Sequence, residues 1–183
     1  MLRKRVLILA LAAVACGSLA ATEPAGIWLD VPYLHQEKDG CGSASLAMLL
    51  QYWQGKNAVI PAGRSDPGNI QRELLSPSVH GIYASAMEKY LRDSGFQVFA
   101  FRGEWKDLRE HLAKGRPLIV GLKPGLGAEL HYVVVVGLDW ENGAIFLNDP
   151  ARSKLLRVER GDFLKEWQGA GSWTLLAVPK RNK

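Results

Sequence analysis

The most continuous apolar stretch that also carries a polar group is "HYVVVVGLD", residues 131 to 139, where hydrophobic side chains fill both alternating sets of positions. A half-exposed strand would alternate, so this segment predicts a central strand covered on both faces. From Cys41 to about Gln54, the residues Ala44, Leu46, Ala47, Met48, Leu49, Leu50 and Trp53 spread around almost the whole helical circumference. That pattern predicts a helix inside the domain rather than on its surface.

The remaining segments fit around these two. "IWLDVPYL" (27 to 34) alternates weakly and reads as extended chain leading to the helix, whereas Gly55, Pro61, Gly63, Pro67, Gly68 and Pro77 mark residues 55 to 80 as a long, partly helical connection. A helix from about Ile82 to Asp93 ends at Gly95. A strand (96 to 101), a helix (104 to 114) and a strand (117 to 122) follow, and a glycine-bearing segment (123 to 129) leads into the central strand. Two more strands (144 to 149 and 154 to 159), a short helix (162 to 168) and a closing strand (172 to 178) complete the chain. Helices come first and the second half is rich in strands, which predicts an α+β fold in one domain of two lobes over residues 27 to 179.

The first twenty residues have a different character. "MLRKR" is basic, "VLILALAAVA" is apolar and "CGSLAATEPA" is small, the layout of an export signal, and the apolar run is too short to span a bilayer as a helix. Cleavage after Ala20 would release a soluble protein. Processing at "AVAC" would instead leave a lipid anchor on Cys16, the one route to a membrane that the sequence offers. The expected location is therefore periplasmic or secreted, or membrane-anchored as a lipoprotein. Either route removes Arg3, Lys4 and Arg5, so the formal charge of +5 falls by 3 to +2. With no arginine-rich stripe and interleaved aromatics, nucleic acid is not an expected partner.

Removing the signal also leaves Cys41 as the only cysteine of the domain, one of the two in the chain. A lone thiol in an exported protein is either a buried hydrophobe or a reactive group. "DGCGS" starts the predicted helix, with Asp39 and Gly40 as candidate caps and Cys41 in the first turn, where unpaired backbone N–H groups favour a thiolate. Gly40 and Gly42 leave the sulfur unobstructed, and Asp39 opposes the thiolate. A cationic partner is needed.

Of the four histidines, His111 sits in a helix rich in Lys and Glu and reads as solvated surface; His80, before Gly81, reads as a turn residue; and His35 lies on the approach segment. His131 opens an all-apolar strand, where an imidazole has no packing reason to be. Asp149, in "NDPA" at the end of the next strand, could hold one ring nitrogen while the other faces the thiol. For an antiparallel pair to bring residues 131 and 149 level, the connection must centre near Trp140. A tight Asn142-Gly143 turn would carry Asp149 toward Val136 instead. A wider loop around Asp139 to Glu141, or a bulge near Gly137, is therefore expected. Gln36, five residues before Cys41, could place a side-chain amide beside the Cys41 backbone N–H to stabilise an oxyanion.

These residues resemble the papain-like cysteine peptidases, and most closely the bacterial branch that includes the double-glycine leader peptidases of bacteriocin exporters. "VPYLHQEKDGCGSASLAMLLQYW" is similar to their Gln-to-Cys-Gly motif and helix, "HYVVVVGLD" to their His strand and "FLNDPA" to their Asp motif, in the same order over about residues 28 to 178. The resemblance implies a two-lobed papain-like fold with the nucleophile-bearing helix packed on a mainly antiparallel sheet. It implies Cys41 as nucleophile, His131 as base and later acid, Asp149 as the orienting carboxylate and Gln36 as oxyanion donor. It also implies a peptide or protein substrate and neither metal nor organic cofactor. The exporter peptidases are fused to a transporter and work in the cytoplasm, whereas this chain reads as free-standing and exported. The expected activity is that of an exported thiol peptidase. The alternatives are an acyltransferase, amidase or transglutaminase-like enzyme using the same triad, and a binding module that has lost catalysis.

Overall fold

The structure, a computed structural model, describes residues 25–125 and 127–180. The signal-like segment 1 to 20, with Cys16, lies outside the described residues.

Seven strands form one sheet: β1 (Gly26–Trp28), β2 (Phe96–Arg102), β3 (Leu118–Leu122), β4 (His131–Asp139), β5 (Ala144–Asn148), β6 (Leu156–Glu159) and β7 (Trp173–Pro179). Their order is β2-β7-β3-β4-β5-β6, every pairing is antiparallel, and β1 takes over the β3 side of β4 beyond Val135. Five helices accompany the sheet: α1 (Cys41–Gly55), α2 (Pro67–Leu74), α3 (Ala84–Asp93), α4 (Trp105–Ala113) and α5 (Arg160–Gly169). The connection 55 to 80 is indeed partly helical. It holds α2, begun by an Asp66 carboxylate that accepts the Asn69 N–H at 2.8 Å with Pro67 behind it, the arrangement that starts a helix in a polar segment.

β4 is buried along its length because helices cover both faces of the sheet. Tyr132, Val134 and Val136 pack with α1 and α3, whereas Val133, Val135 and Leu138 pack with α4 and α5. The change from odd to even positions on the second face comes from a bulge between Val135 and Gly137, where an extra residue reverses the alternation of the strand.

In α1 every residue from Gly42 to Leu50 is buried, and Leu46, Met48, Leu49 and Leu50 are wholly inaccessible. Burying four such side chains contributes on the order of 6–12 kcal/mol of transfer free energy before entropy is subtracted. That burial fixes the helix on the sheet, and one polar contact sets its height. The Ser45 hydroxyl, one turn beyond Cys41, donates to the Tyr132 carbonyl at 3.2 Å. The first turn of α1 therefore stands beside the first residues of β4.

Candidate active site

Cys41 is the first residue of α1 and half-buried. Asp39 does not cap the helix. Gly40 is the cap residue, no side chain bonds to the helix end, and Asp39 turns in a left-handed conformation (φ 57°) with its carboxylate 3.8 Å from Nδ1 of His80. The glycines serve the chain itself. A Cβ on Gly40 would lie 2.8 Å from the Glu37 carbonyl oxygen and 2.9 Å from Oε1 of Gln71, and one on Gly42 would press on Ile82 at 3.1 Å. Gln71, which no pattern in the chain singles out, steadies this turn from α2 by donating from Nε2 to the Lys38 carbonyl at 2.7 Å.

His131 opens β4 and lies between the thiol and a carboxylate. Its Nε2 is 2.7 Å from Oδ1 of Asp149, which leaves Nδ1 as the ring nitrogen available to Cys41, the other group that acts on the imidazole. The hairpin moves toward this geometry by a wider loop and a bulge together, but stops short of bringing residues 131 and 149 level. Asp139 pairs with Ala144 across a four-residue loop, and the bulge then slips the register so that Val134 faces Asn148. A straight continuation would still put Asp149 level with Val133. The chain instead leaves the strand at Asp149, turns through Pro150, and the imidazole spans the remaining offset.

Electrostatics favour a charged pair. Burial alone would depress the imidazole, but the Asp149 hydrogen bond, the Cys41 hydrogen bond and the charges of both outweigh it, raising His131 from 6.5 to about 9. Burial pushes the Asp149 carboxyl up, yet the bond and charge of His131, the Ala151 N–H and the charge of Arg152 hold it below its ordinary range. At neutral pH the site therefore holds imidazolium against carboxylate. Asp149 Oδ1 also accepts the Ala151 N–H at 2.9 Å, which fixes the carboxylate from its own turn.

Gln36 reaches the same place by its backbone, whose N–H donates to the Pro150 carbonyl at 2.9 Å. Its side-chain oxygen is buried without a hydrogen-bond partner, and among the described residues no hydrogen bond links it to Cys41 or His131. Two residues that the sequence reading passed over hold this segment in place. Asn148, fully buried, donates from Nδ2 to the carbonyls of Val31 (3.0 Å) and Pro32 (3.4 Å) and accepts the Leu155 N–H at 3.1 Å. The Tyr33 hydroxyl donates to the Asp149 carbonyl at 3.3 Å. The segment bearing Gln36 and the turn bearing Asp149 are thus one hydrogen-bonded unit. An asparagine ending an apolar strand was the signal that could have found it.

Among the described residues, the other histidines make no hydrogen bond to Cys41 or to the Asp149 carboxylate. His35 is exposed beside Tyr33, and His80 ends a short 3₁₀ turn with φ 44°. His111 departs from its reading as solvated surface. It is half-buried near Phe101, its Nδ1 is buried without a partner, and burial depresses its pKa. Its helix packs against the sheet more deeply than its Lys and Glu content suggested. Trp53, Trp105 and Trp140 are half-buried, the first two against Tyr52 and Phe163 and the third under Arg109. A cavity of about 530 Å³ opens beside Cys41, walled by residues 78 to 84 on one side and by Lys123, Ala128, Glu129 and Leu130 on the other.

A helix-borne thiol beside a strand-borne histidine that is bonded to a carboxylate, on an antiparallel sheet, is the architecture of a papain-like cysteine peptidase. A family profile described as Peptidase_C39 like family matches residues 28–174. The chain belongs to that family of cysteine peptidases. Solved structures agree on the fold. A protein described as a C39-like peptidase from Bacillus anthracis is 20% identical, with 86% of this chain and 99% of that one covered and a TM-score of 0.66. A double glycine motif protease from an AMS/PCAT transporter, in complex with the leader peptide, is 23% identical over 84% and 94% of the chains, with a TM-score of 0.64. The peptidase domain of Streptococcus ComA, a bifunctional ABC transporter involved in a quorum sensing pathway, is 22% identical over 81% and 98%, with a TM-score of 0.63. No curated protein matches the sequence.

Proposed function

We propose that this protein is an exported thiol peptidase in which Cys41, His131 and Asp149 act as nucleophile, acid–base and orienting carboxylate. The observation that carries this reading is the placement of His131, with Nε2 on Asp149 at 2.7 Å and the other ring nitrogen left for the sulfur. The Cys41 sulfur attacks the scissile carbonyl carbon, the carbonyl electrons move onto oxygen, and the tetrahedral adduct collapses to a thioester. The leaving nitrogen takes its proton from His131. Water then gives a proton back to His131, attacks the thioester and releases the acid with regeneration of the thiolate.

The Cys41 backbone N–H at the uncapped helix start and the Gln36 side-chain amide are the donors assigned to the oxyanion. Gln36 Oε1 is buried without a partner, so turning the amide to present Nε2 to the oxyanion breaks no hydrogen bond at that oxygen. Export rests on the signal-like residues 1 to 20, with a soluble domain at 27 to 179 and Cys16 as the alternative lipid anchor. The related protease in complex with a leader peptide supports a peptide substrate here. The test is cleavage profiling of a mixed peptide library with the full chain, Cys41→Ala and His131→Ala. Cleavage and labelling by a thiol-directed inhibitor are lost in both variants while circular dichroism is kept; cleavage that survives Cys41→Ala overturns the reading. Mass spectrometry of the exported protein's N-terminus tests the signal.

A further inference from the structure

Two cavities adjoin the site, and they touch different catalytic groups. The cavity of about 530 Å³ is bounded by Cys41, Ile82, Tyr83, Leu130 and Tyr132 but not by His131. A second, of about 310 Å³, is bounded by His131 and Asp149 but not by Cys41. Ala128 and Glu129 belong to the walls of both, so one short piece of backbone separates them.

The reaction divides a substrate in the same way. The acyl half ends as a thioester on the Cys41 sulfur and must lie beside Cys41. The leaving nitrogen takes its proton from His131, so the residue bearing it must lie beside His131. We infer that the 310 Å³ cavity is the leaving-group subsite and receives an apolar side chain from the residue directly after the scissile bond. This inference rests on the peptidase reading and specifies its substrate.

The cavity has the lining that such a side chain needs. Leu122, Leu147 and Phe163 form its buried back, and Leu156 and Val158 of β6 form a half-buried flank. A bulky side chain seated there removes apolar surface on both partners from water. The charge around it suits the other product of the cut. Glu129 and Glu166 set two carboxylates against the single guanidinium of Arg152, a balance that favours the new α-ammonium group of the leaving fragment. Both residues of the catalytic pair that border the cavity keep their own hydrogen bond, so the subsite takes its ligand without breaking it.

Val158 gives the test, because it lines the cavity and makes no contact in the catalytic machinery described above. Full chain, Val158→Trp and Val158→Ala are compared by the same library profiling, and by capture of an acyl-enzyme formed from an activated peptide ester. In capture, an amine attacks the thioester, the sulfur leaves as thiolate and His131 takes the amine proton. Leucinamide is expected to outcompete glycinamide about tenfold in the wild type and to lose that advantage in Val158→Trp. Val158→Ala moves the preference after the cut toward Phe and Trp, and the preference before the cut stays the same in all three proteins. Equal capture of both amides by the wild type, or a changed preference before the cut only, overturns the subsite. Capture that prefers leucinamide in an enzyme that cleaves no peptide supports the subsite and overturns the peptidase reading alone.

Discussion

Replacing Asp149 by Asn should change how the stability of this protein depends on pH, and by a calculable amount. His131 moves from an ordinary 6.5 to about 9 in the folded chain, and each unit between the two states is worth about 1.36 kcal/mol. The raised value therefore carries about 3 kcal/mol. A raised pKa stabilises the folded state fully below the unfolded value, here below about 6.5, and the contribution is lost as pH rises through the folded value near 9. Asp149 works in the opposite sense. Its depressed pKa adds stability above the ordinary carboxylate range, which is lost as pH falls through the lower folded value. The pair is thus at full strength between about pH 4.5 and 6.5.

Urea unfolding of the full chain at pH 6 and at pH 9.5 reads the effect. The wild type should lose up to about 3 kcal/mol from this pair across that interval. Asp149→Asn keeps the shape but removes the carboxylate charge, so the loss should shrink to the part that Cys41 supplies against the opposing effect of burial. Cys41→Ala identifies that part separately. An Asp149→Asn protein that falls in stability as steeply as the wild type would refute the assignment of the shift to Asp149.

Three other outcomes follow from the same geometry. Asn148→Leu leaves the buried Val31 carbonyl and the part-buried Leu155 N–H without this partner, at a cost of roughly 1–4 kcal/mol in urea unfolding. Gly40→Ala forces a Cβ against the Glu37 carbonyl and Gln71, so it should destabilise by about 1–3 kcal/mol and slow alkylation of Cys41 by iodoacetamide. Gln36→Ala should lower kcat about 10²–10³-fold while alkylation continues at the wild-type rate, and a kcat within twofold of wild type would remove Gln36 from the oxyanion site.

The sequence reading located the elements that are buried on one side or both, because burial writes a pattern into the chain. β4 and α1 are the clearest cases, with few polar positions and ends that match the structure within a residue. The hairpin shift was also legible, since the positions of His131 and Asp149 are incompatible with a tight turn and demanded the bulge and wider loop that occur. What could not be read were polar side chains that act across long separations. Gln71 sits in a connection rich in Gly and Pro, and its contact with Lys38 carries no periodic signature. Asn148 and Tyr33 were hidden for the same reason. The glycines of "DGCGS" were visible, and Gly40 is the helix cap, but the room they leave for the Glu37 carbonyl and Ile82 has no signature in one dimension.

The bonds of Asn148 also impose a timetable. A chain that is made amino end first presents its thiol early, but the segment carrying Gln36 meets Asn148 only 117 residues after Val31, and Leu155 must follow to complete the hub. Until then neither the imidazole nor the carboxylate has joined the sulfur. The growing chain therefore carries a cysteine without the imidazole and carboxylate that stand beside it in the folded protein, a delay built into the order of synthesis.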